Sequence, residues 1–219
     1  MITFDDIRKN DELKAYIHWG NELLGVMGYT DHSCQHTLKT GEVAQEILLA
    51  LGYGERTAEL CKISGYMHDI GNMVCRVGHS QTGAMMAFNI LTRIEMPYDE
   101  IAMIVGAIGN HDEDAGVPVS AASAALIIAD KSDVRRSRVR NTDMATFDNH
   151  DRVNYAVIES CVRVSASPRE ILLDVTIDQT ISSVIEYFEI FLTRMLMCKR
   201  AAEFLQAKFR LRMNGSDIL

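Results

Sequence analysis

Apolar positions recur three and four residues apart along the first two-thirds of the chain, and short polar or glycine-rich breaks interrupt them. This period predicts amphipathic helices joined by short loops. Asp11 to Met27 carries Leu13, Ile17, Leu23, Leu24 and Met27 at near-helical spacing and stops at Gly28. After the turn Tyr29-Thr30-Asp31, a helix beginning at His32 or His36 runs through Leu51, with Val43, Ile47 and Leu51 on one face, and Gly52 and Gly54 end it. The next spans Glu55 to His68 and packs through Leu60, Ile63 and Met67. Ser80 or Gln81 opens another that reaches Ile94. Pro97 begins a helix carrying Ile101, Ile104, Val105 and Ile108 towards His111. Pro118 and Ser120 lead into Ala121 to Val134, apolar nearly all round. At the start, Thr3 reads as an N-cap with Asp5 and Asp6 in the first turn.

The pattern changes after residue 140. Asn141 to Asp151 is polar and reads as a loop. Val153 to Ser165 and Glu170 to Ile177 are rich in β-branched residues, with Ser165-Ala166-Ser167-Pro168 as a turn between them, and predict a β-hairpin. Thr180 to Arg212 reads as one long helix with a wide apolar face (Ile181, Val184, Ile185, Phe188, Phe191, Leu192, Met195, Leu196), which must pack on the helical part or pair with a second copy. The expected architecture is mainly α: a helical domain over 1–140, then an extension over 141–219 of loop, hairpin and long helix. A homodimer through that helix is one expected partnership.

Composition narrows the class without naming it. Of 219 residues 47% are apolar and 24% charged, ordinary for a soluble globular chain. No stretch approaches a membrane span and no signal peptide is expected at the start. A net charge of -8 disfavours nucleic acid as a partner. Against that background, Lys131 to Arg140 gathers one lysine and four arginines. Five scattered cysteines without a C-x-x-C pair suit a reduced, cytoplasmic setting and argue against a disulfide scaffold.

Histidines and aspartates fall at the ends of the predicted helices. His36 lies near a helix start, His68-Asp69 at a helix end, His79 just before a helix and His111 just after one. Asp130 sits in the apolar run Leu126-Ile127-Ile128-Ala129, where a carboxylate needs a partner: a divalent cation, Lys131 or an arginine. Imidazole plus carboxylate suits zinc, iron and manganese. His18, Trp19 and His150 read as surface or packing residues.

The order His36, His68-Asp69, Asp130 resembles the HD superfamily of metal-dependent phosphohydrolases. Met67-His68-Asp69-Ile70-Gly71-Asn72 is close to the family's L-H-D-I-G-K, with Asn72 in place of lysine. His36 is followed by Lys39 as in the family's first element, and Ala129-Asp130-Lys131 resembles its last. His79-Ser80-Gln81-Thr82-Gly83-Ala84 and Asn110-His111 are similar to elements of the dinuclear branches, those hydrolysing dinucleoside polyphosphates and cyclic dinucleotides. Asp114 to Pro118 matches the G-Y-P segment of the latter only faintly.

This resemblance implies a helical HD bundle and two divalent ions (Fe, Mn, Zn, Ni or Mg). His36, His68, Asp69 and Asp130 would hold one, and Asp69 would bridge to a second held by His79 and His111. It implies hydrolysis of a phosphoanhydride or phosphodiester by a metal-activated hydroxide, with His68, Asp69 and Lys131 in the reaction and a phosphorylated, nucleotide-type small molecule as substrate. Lys131, Arg135 and Arg138, on one face if the helix continues, would contact its phosphates. His32, four residues before His36, is either an alternative first ligand or a substrate contact. Two other readings keep the same residues: a di-iron oxygenase of this fold, and a nucleotide-sensing module without turnover.

Overall fold

The computed structural model of the chain describes residues 1–113 and 116–219. Asp114 and Ala115, part of the segment likened to G-Y-P, lie outside the described residues. Local caps set the helix starts. Helix α1 (Phe4–Lys9) begins at Thr3, whose hydroxyl and the Asp6 carboxylate form a reciprocal capping box. The Asn10 side chain caps α2 (Asp11–Val26). Helix α3 (Cys34–Ala50) starts at neither His32 nor His36, because the Ser33 hydroxyl accepts from the Gln35 amide and fixes the N-terminus between them.

Helix α4 (Glu55–Met67) ends at His68, and a single 3-10 turn, Ile70–Met73, follows. Then come α5 (His79–Arg93), α6 (Tyr98–Gly109) and α7 (Ala121–Ser132), the last with a Ser120/Ser123 capping box. Helix α7 stops before the expected Val134. Arg135 and Arg138 therefore lie beyond the helix, and the shared helical face expected for them with Lys131 does not exist.

Two further corrections concern residues 141–219. The expected loop at Asn149-His150-Asp151 is the first turn of α8 (Asn149–Ala156), because Asp148 accepts from the Asp151 amide and nucleates it. Strands β1 (Val157–Ala166) and β2 (Arg169–Ile177) form the expected hairpin, but its first strand starts at Val157 and not at Val153, because α8 runs on through Ala156. The long helix is shorter than its sequence pattern suggested. Helix α9 (Val184–Phe204) gives way to β3 (Lys208–Met213), which pairs parallel to β2, and β4 (Ser216–Asp217) adds to β3, giving a sheet ordered β1-β2-β3-β4. Phe209, Leu211 and Met213 are buried in alternation, a period of two that continued apolar content had masked. Helix α9 is thus the crossover a parallel pair requires.

One apolar core joins the inner faces of α3 and α7 to the sheet and α9, through Ile47, Leu48, Leu126, Ile128, Leu173, Phe191 and Leu211. It runs without a break across residue 140. A second core joins α1, α2, α4, α5 and α6 through Ile7, Leu13, Ile63, Met67, Leu91 and Ile104. Among the described residues, no helix is long and apolar enough to cross a membrane.

Two glycine contacts set how these layers close. Helices α3 and α4 cross backbone to backbone: a Cβ on Gly65 would stand 2.5 Å from the Gly41 Cα, and one on Gly41 would stand 2.6 Å from the Lys62 carbonyl. A Cβ on Gly71 would meet the His79 carbonyl at 2.0 Å. Neither backbone can yield cheaply, so Gly65→Ala should cost about 3 kcal/mol or more. Gly106, inside α6, meets nothing within 4 Å, so Gly106→Ala should stabilise by about 0.5–1 kcal/mol. Urea denaturation of the two variants beside the parent checks both signs.

Candidate metal centre

The crossing of α3 and α4 brings His36, in the first turn of α3, against His68 at the end of α4, with ring centroids 5.2 Å apart. Asp69 follows His68 in the chain, and α7 delivers Asp130 from the other side. His36 Nε2 lies 3.6 Å from Asp69 Oδ2 and 3.4 Å from Asp130 Oδ1. His68 Nε2 lies 3.1 Å from Asp69 Oδ2 and 3.6 Å from Asp130 Oδ1. The tight seat of Gly71 under α5 sets His79 beside this group, its Nε2 3.5 Å from Asp69 Oδ1. His111, just past α6, puts its Nε2 3.2 Å from that of His79.

All four imidazoles are anchored in the same way. Nδ1 donates to the Asp133 carboxylate in His36 (2.8 Å), and to the carbonyls of Gly65 in His68 (2.7 Å), Arg76 in His79 (3.1 Å) and Ile108 in His111 (2.6 Å). Donation from Nδ1 leaves Nε2 as the lone-pair atom of the neutral ring, and every Nε2 points into one shared space. This is the outer-shell arrangement that orients metal-binding histidines.

The polar accounting inside this space does not close. His36 Nε2, His68 Nε2 and Asp69 Oδ2 are buried without a hydrogen-bond partner, and the His79 and His111 lone pairs face each other. With the rings neutral, as a metal requires of its ligands, acceptors orphaned this deep are costly. A divalent cation satisfies them, so the residues fit the metal that a His/Asp donor set favours. Two overlapping ligand groups stand out: His36, His68 and Asp130, and His68, Asp69 and His111. His36 rather than His32 belongs to the cluster.

Electrostatics divide the histidines. Burial opposes charge on His68, but Asp69 and Asp130 outweigh it and hold the ring up at about 10. Burial, with His68 and Lys131 beside it, pushes His111 down to about 3, and burial lowers His79 as well. Burial alone would raise the Asp69 and Asp130 carboxyls, yet His68 beside Asp69 and Lys131 beside Asp130 hold both well below the usual carboxylate range.

The cluster forms the floor of a cavity of about 330 Å³. Asp69, His79, His111 and Asp130 face it, while His36 and His68 sit behind them. His32, Lys131 and Arg138 also line it. Arg135 does not. Its guanidinium turns back onto Asp133 at 2.9 Å, because the chain leaves the helical path after Ser132. Arg138 gives its Nε and Nη1 to the carbonyls of Asp31 and Asp133.

The HD domain family matches residues 34–140, the stretch that holds all six candidate ligands. The chain carries an HD domain. An uncharacterized protein of Methanocaldococcus jannaschii is 26% identical over 162 residues, covering 64% of this chain and 62% of that relative, so the match spans less than two-thirds of the relative's length. The crystal structure of a predicted HD superfamily hydrolase from an uncultured Thermotogales bacterium is similar at a TM-score of 0.43 and 20% identity, covering 62% of this chain and 75% of that one.

Several residues of the HD site escaped the sequence reading. Asp133 holds His36 and is itself held by Lys39 at 2.8 Å, so Lys39 supports the first candidate ligand. Spacing carried a signal: Asp133 follows Asp130 by three residues, one helical turn. Asn72, standing where the family has lysine, donates to Asp69 Oδ1 at 2.8 Å. Arg76, Asp148, His150, Asp151, Asn154, Phe191 and Arg194 also line the cavity, as does the turn at Met27 to Thr30. His150, expected to be a surface residue, is exposed at the cavity mouth. Nothing local marks it, because α8 is polar in sequence.

Two outcomes follow for metal binding. In the metal-free protein at pH 7 His68 lies below its value of about 10 and carries a proton. A ligand must be neutral, so binding expels that proton and affinity falls as pH falls; calorimetry in two buffers of different ionisation enthalpy counts the release. Asp133→Asn should weaken metal binding about 10–100-fold, measured by chelator competition, while leaving far-UV circular dichroism unchanged.

Proposed function

We propose that the chain is a metal-dependent phosphohydrolase acting on a phosphoanhydride or phosphodiester bond of a small, nucleotide-type substrate. One observation carries this reading: unpartnered Nε2 and carboxylate atoms converge at the floor of a cavity that also holds lysine and arginine. Divalent ions held by His36, His68, Asp69 and Asp130, with His79 and His111, would polarise a phosphoryl oxygen and lower the pKa of water.

The chain's own side chains have distinct parts. Asn72 holds Asp69 from one side, so that carboxylate keeps its orientation among the imidazoles. The Lys131 ammonium lies 2.8 Å from Asp130 Oδ2 and 3.6 Å from Glu113, at the cavity wall. Its flexible stem lets it donate to a substrate oxyanion without leaving Asp130. Arg76 puts Nη1 3.3 Å from His79 Nε2 and stands over the Tyr29 ring, 5.5 Å from its centroid. Among the described residues it has no carboxylate partner, and its fork suits a phosphate. His32 donates from Nδ1 to the Thr30 carbonyl at 2.7 Å; burial and Arg138 keep the ring neutral, so its Nε2 accepts from a substrate hydroxyl.

Size and charge favour a single nucleotide over a dinucleoside substrate. The cavity lies at the low end of the roughly 300–1,000 Å³ usual for small-molecule sites. Asp148 and Asp151 line it too. They repel further phosphates and accept from hydroxyls, as a ribose would offer.

Metal analysis of gently purified protein, then a phosphatase and phosphodiesterase screen of the same sample, tests this reading. The expected result is divalent metal in the protein and hydrolysis that Asp69→Ala abolishes. Metal-replete protein inert towards mononucleotides, dinucleoside polyphosphates and cyclic dinucleotides alike would overturn it.

A further inference from the structure

Helix α9 has two apolar faces. One sets Tyr187, Phe191, Met195 and Cys198 into the core. On the other, Ile185 is 71% exposed and Leu192 and Leu196 are 50% exposed each. Positions 185, 189, 192, 196, 199 and 203 follow intervals of 4, 3, 4, 3 and 4. At 3.6 residues per turn they fall within about 80° of arc. This is the a/d spacing of a coiled-coil seam, and here it reads Ile185, Glu189, Leu192, Leu196, Lys199, Glu203.

The order of charges selects the occupant. Two leucines form the middle of the seam, with an acid on the N-terminal side and a base on the C-terminal side. A parallel copy would set Glu189 against Glu189 and Lys199 against Lys199. An antiparallel copy, related by a two-fold axis at the level of Arg194, sets Leu192 against Leu196 and Glu189 against Lys199, each twice. Ile185 then meets the Glu203 stem at the rim, where the carboxylate stays in water. Glu186 and Arg194 are already paired within the chain, to Arg152 and Glu113. Among the described residues Glu189 and Lys199 have no such partner.

We propose that the chain forms a two-fold antiparallel dimer through the outer face of α9. The seam is self-complementary in its apolar and charged positions, and a second copy supplies each half with what it lacks.

Sedimentation velocity on the full-length, metal-loaded chain tests this. The expected result is a dimer that Leu192→Glu and Leu196→Glu each convert to a monomer. Both positions are solvent-facing in the protomer, so far-UV circular dichroism should not change. Glu189→Lys and Lys199→Glu should each weaken the dimer about tenfold, since every like-charge contact occurs twice. The double variant, Glu189→Lys with Lys199→Glu, should restore it, which a parallel pair would not do. A monomeric parent, a dimer indifferent to Leu192→Glu, or a double variant as weak as the singles would each overturn the proposal.

Discussion

The contact on which the rest depends is the backbone crossing of α3 and α4 at Gly41 and Gly65. With no Cβ between them the two helices approach more closely than side chains permit, and that distance places His36 against His68. Gly71 repeats the device one turn later, seating α5 so that His79 reaches Asp69. Metal ligands need placement to a fraction of an ångström. Here main chain supplies it, and main chain is stiffer than packed side chains.

Polar bookkeeping then gives the centre its character. Each imidazole spends its Nδ1 proton on a carbonyl or on Asp133, so no ring can satisfy a neighbour's Nε2. The carboxylates of Asp69 and Asp130 lie among these lone pairs; Asn72 and Lys131 each hold one from the side, and in the absence of a cation a proton on His68 faces both. Proton and metal compete for one space. A structural histidine cluster would close its own hydrogen bonds, and this one leaves them open towards the cavity.

Much of this was legible in the sequence. Glycines, prolines and polar caps marked α1 to α7 to within a few residues, and the H…HD…D order, with the His79 and His111 elements, named the six candidate ligands that the fold gathers. What stayed hidden has physical causes. Helix α7 ends at Ser132, where the backbone turns and Asp133 meets His36, a tertiary contact that ends the helix where the apolar pattern would continue it, and Arg135 is lost from the cavity with it. Strand β3 follows α9 through a short turn of continued apolar content, so the change of period from 3.6 to two passed unnoticed. The first turn of α8 is polar because it faces the cavity mouth, and polar residues read as loop.

All six ligands belong to residues 34–140, whereas Asp148, His150, Asp151 and Asn154 come from α8 and its cap, and Phe191 and Arg194 from α9. The candidate ligands thus come from one stretch of the chain, while the cavity wall is shared: His32, Arg76, Lys131 and Arg138 line it from before residue 141, and α8 and α9 from after it. Helix α9 is held at both ends by adjacent parallel strands, so it presents its two residues as a fixed wall and not as a swinging flap. Substitutions at Asp148, His150, Asp151 or Arg194 therefore alter the cavity wall without touching a candidate ligand.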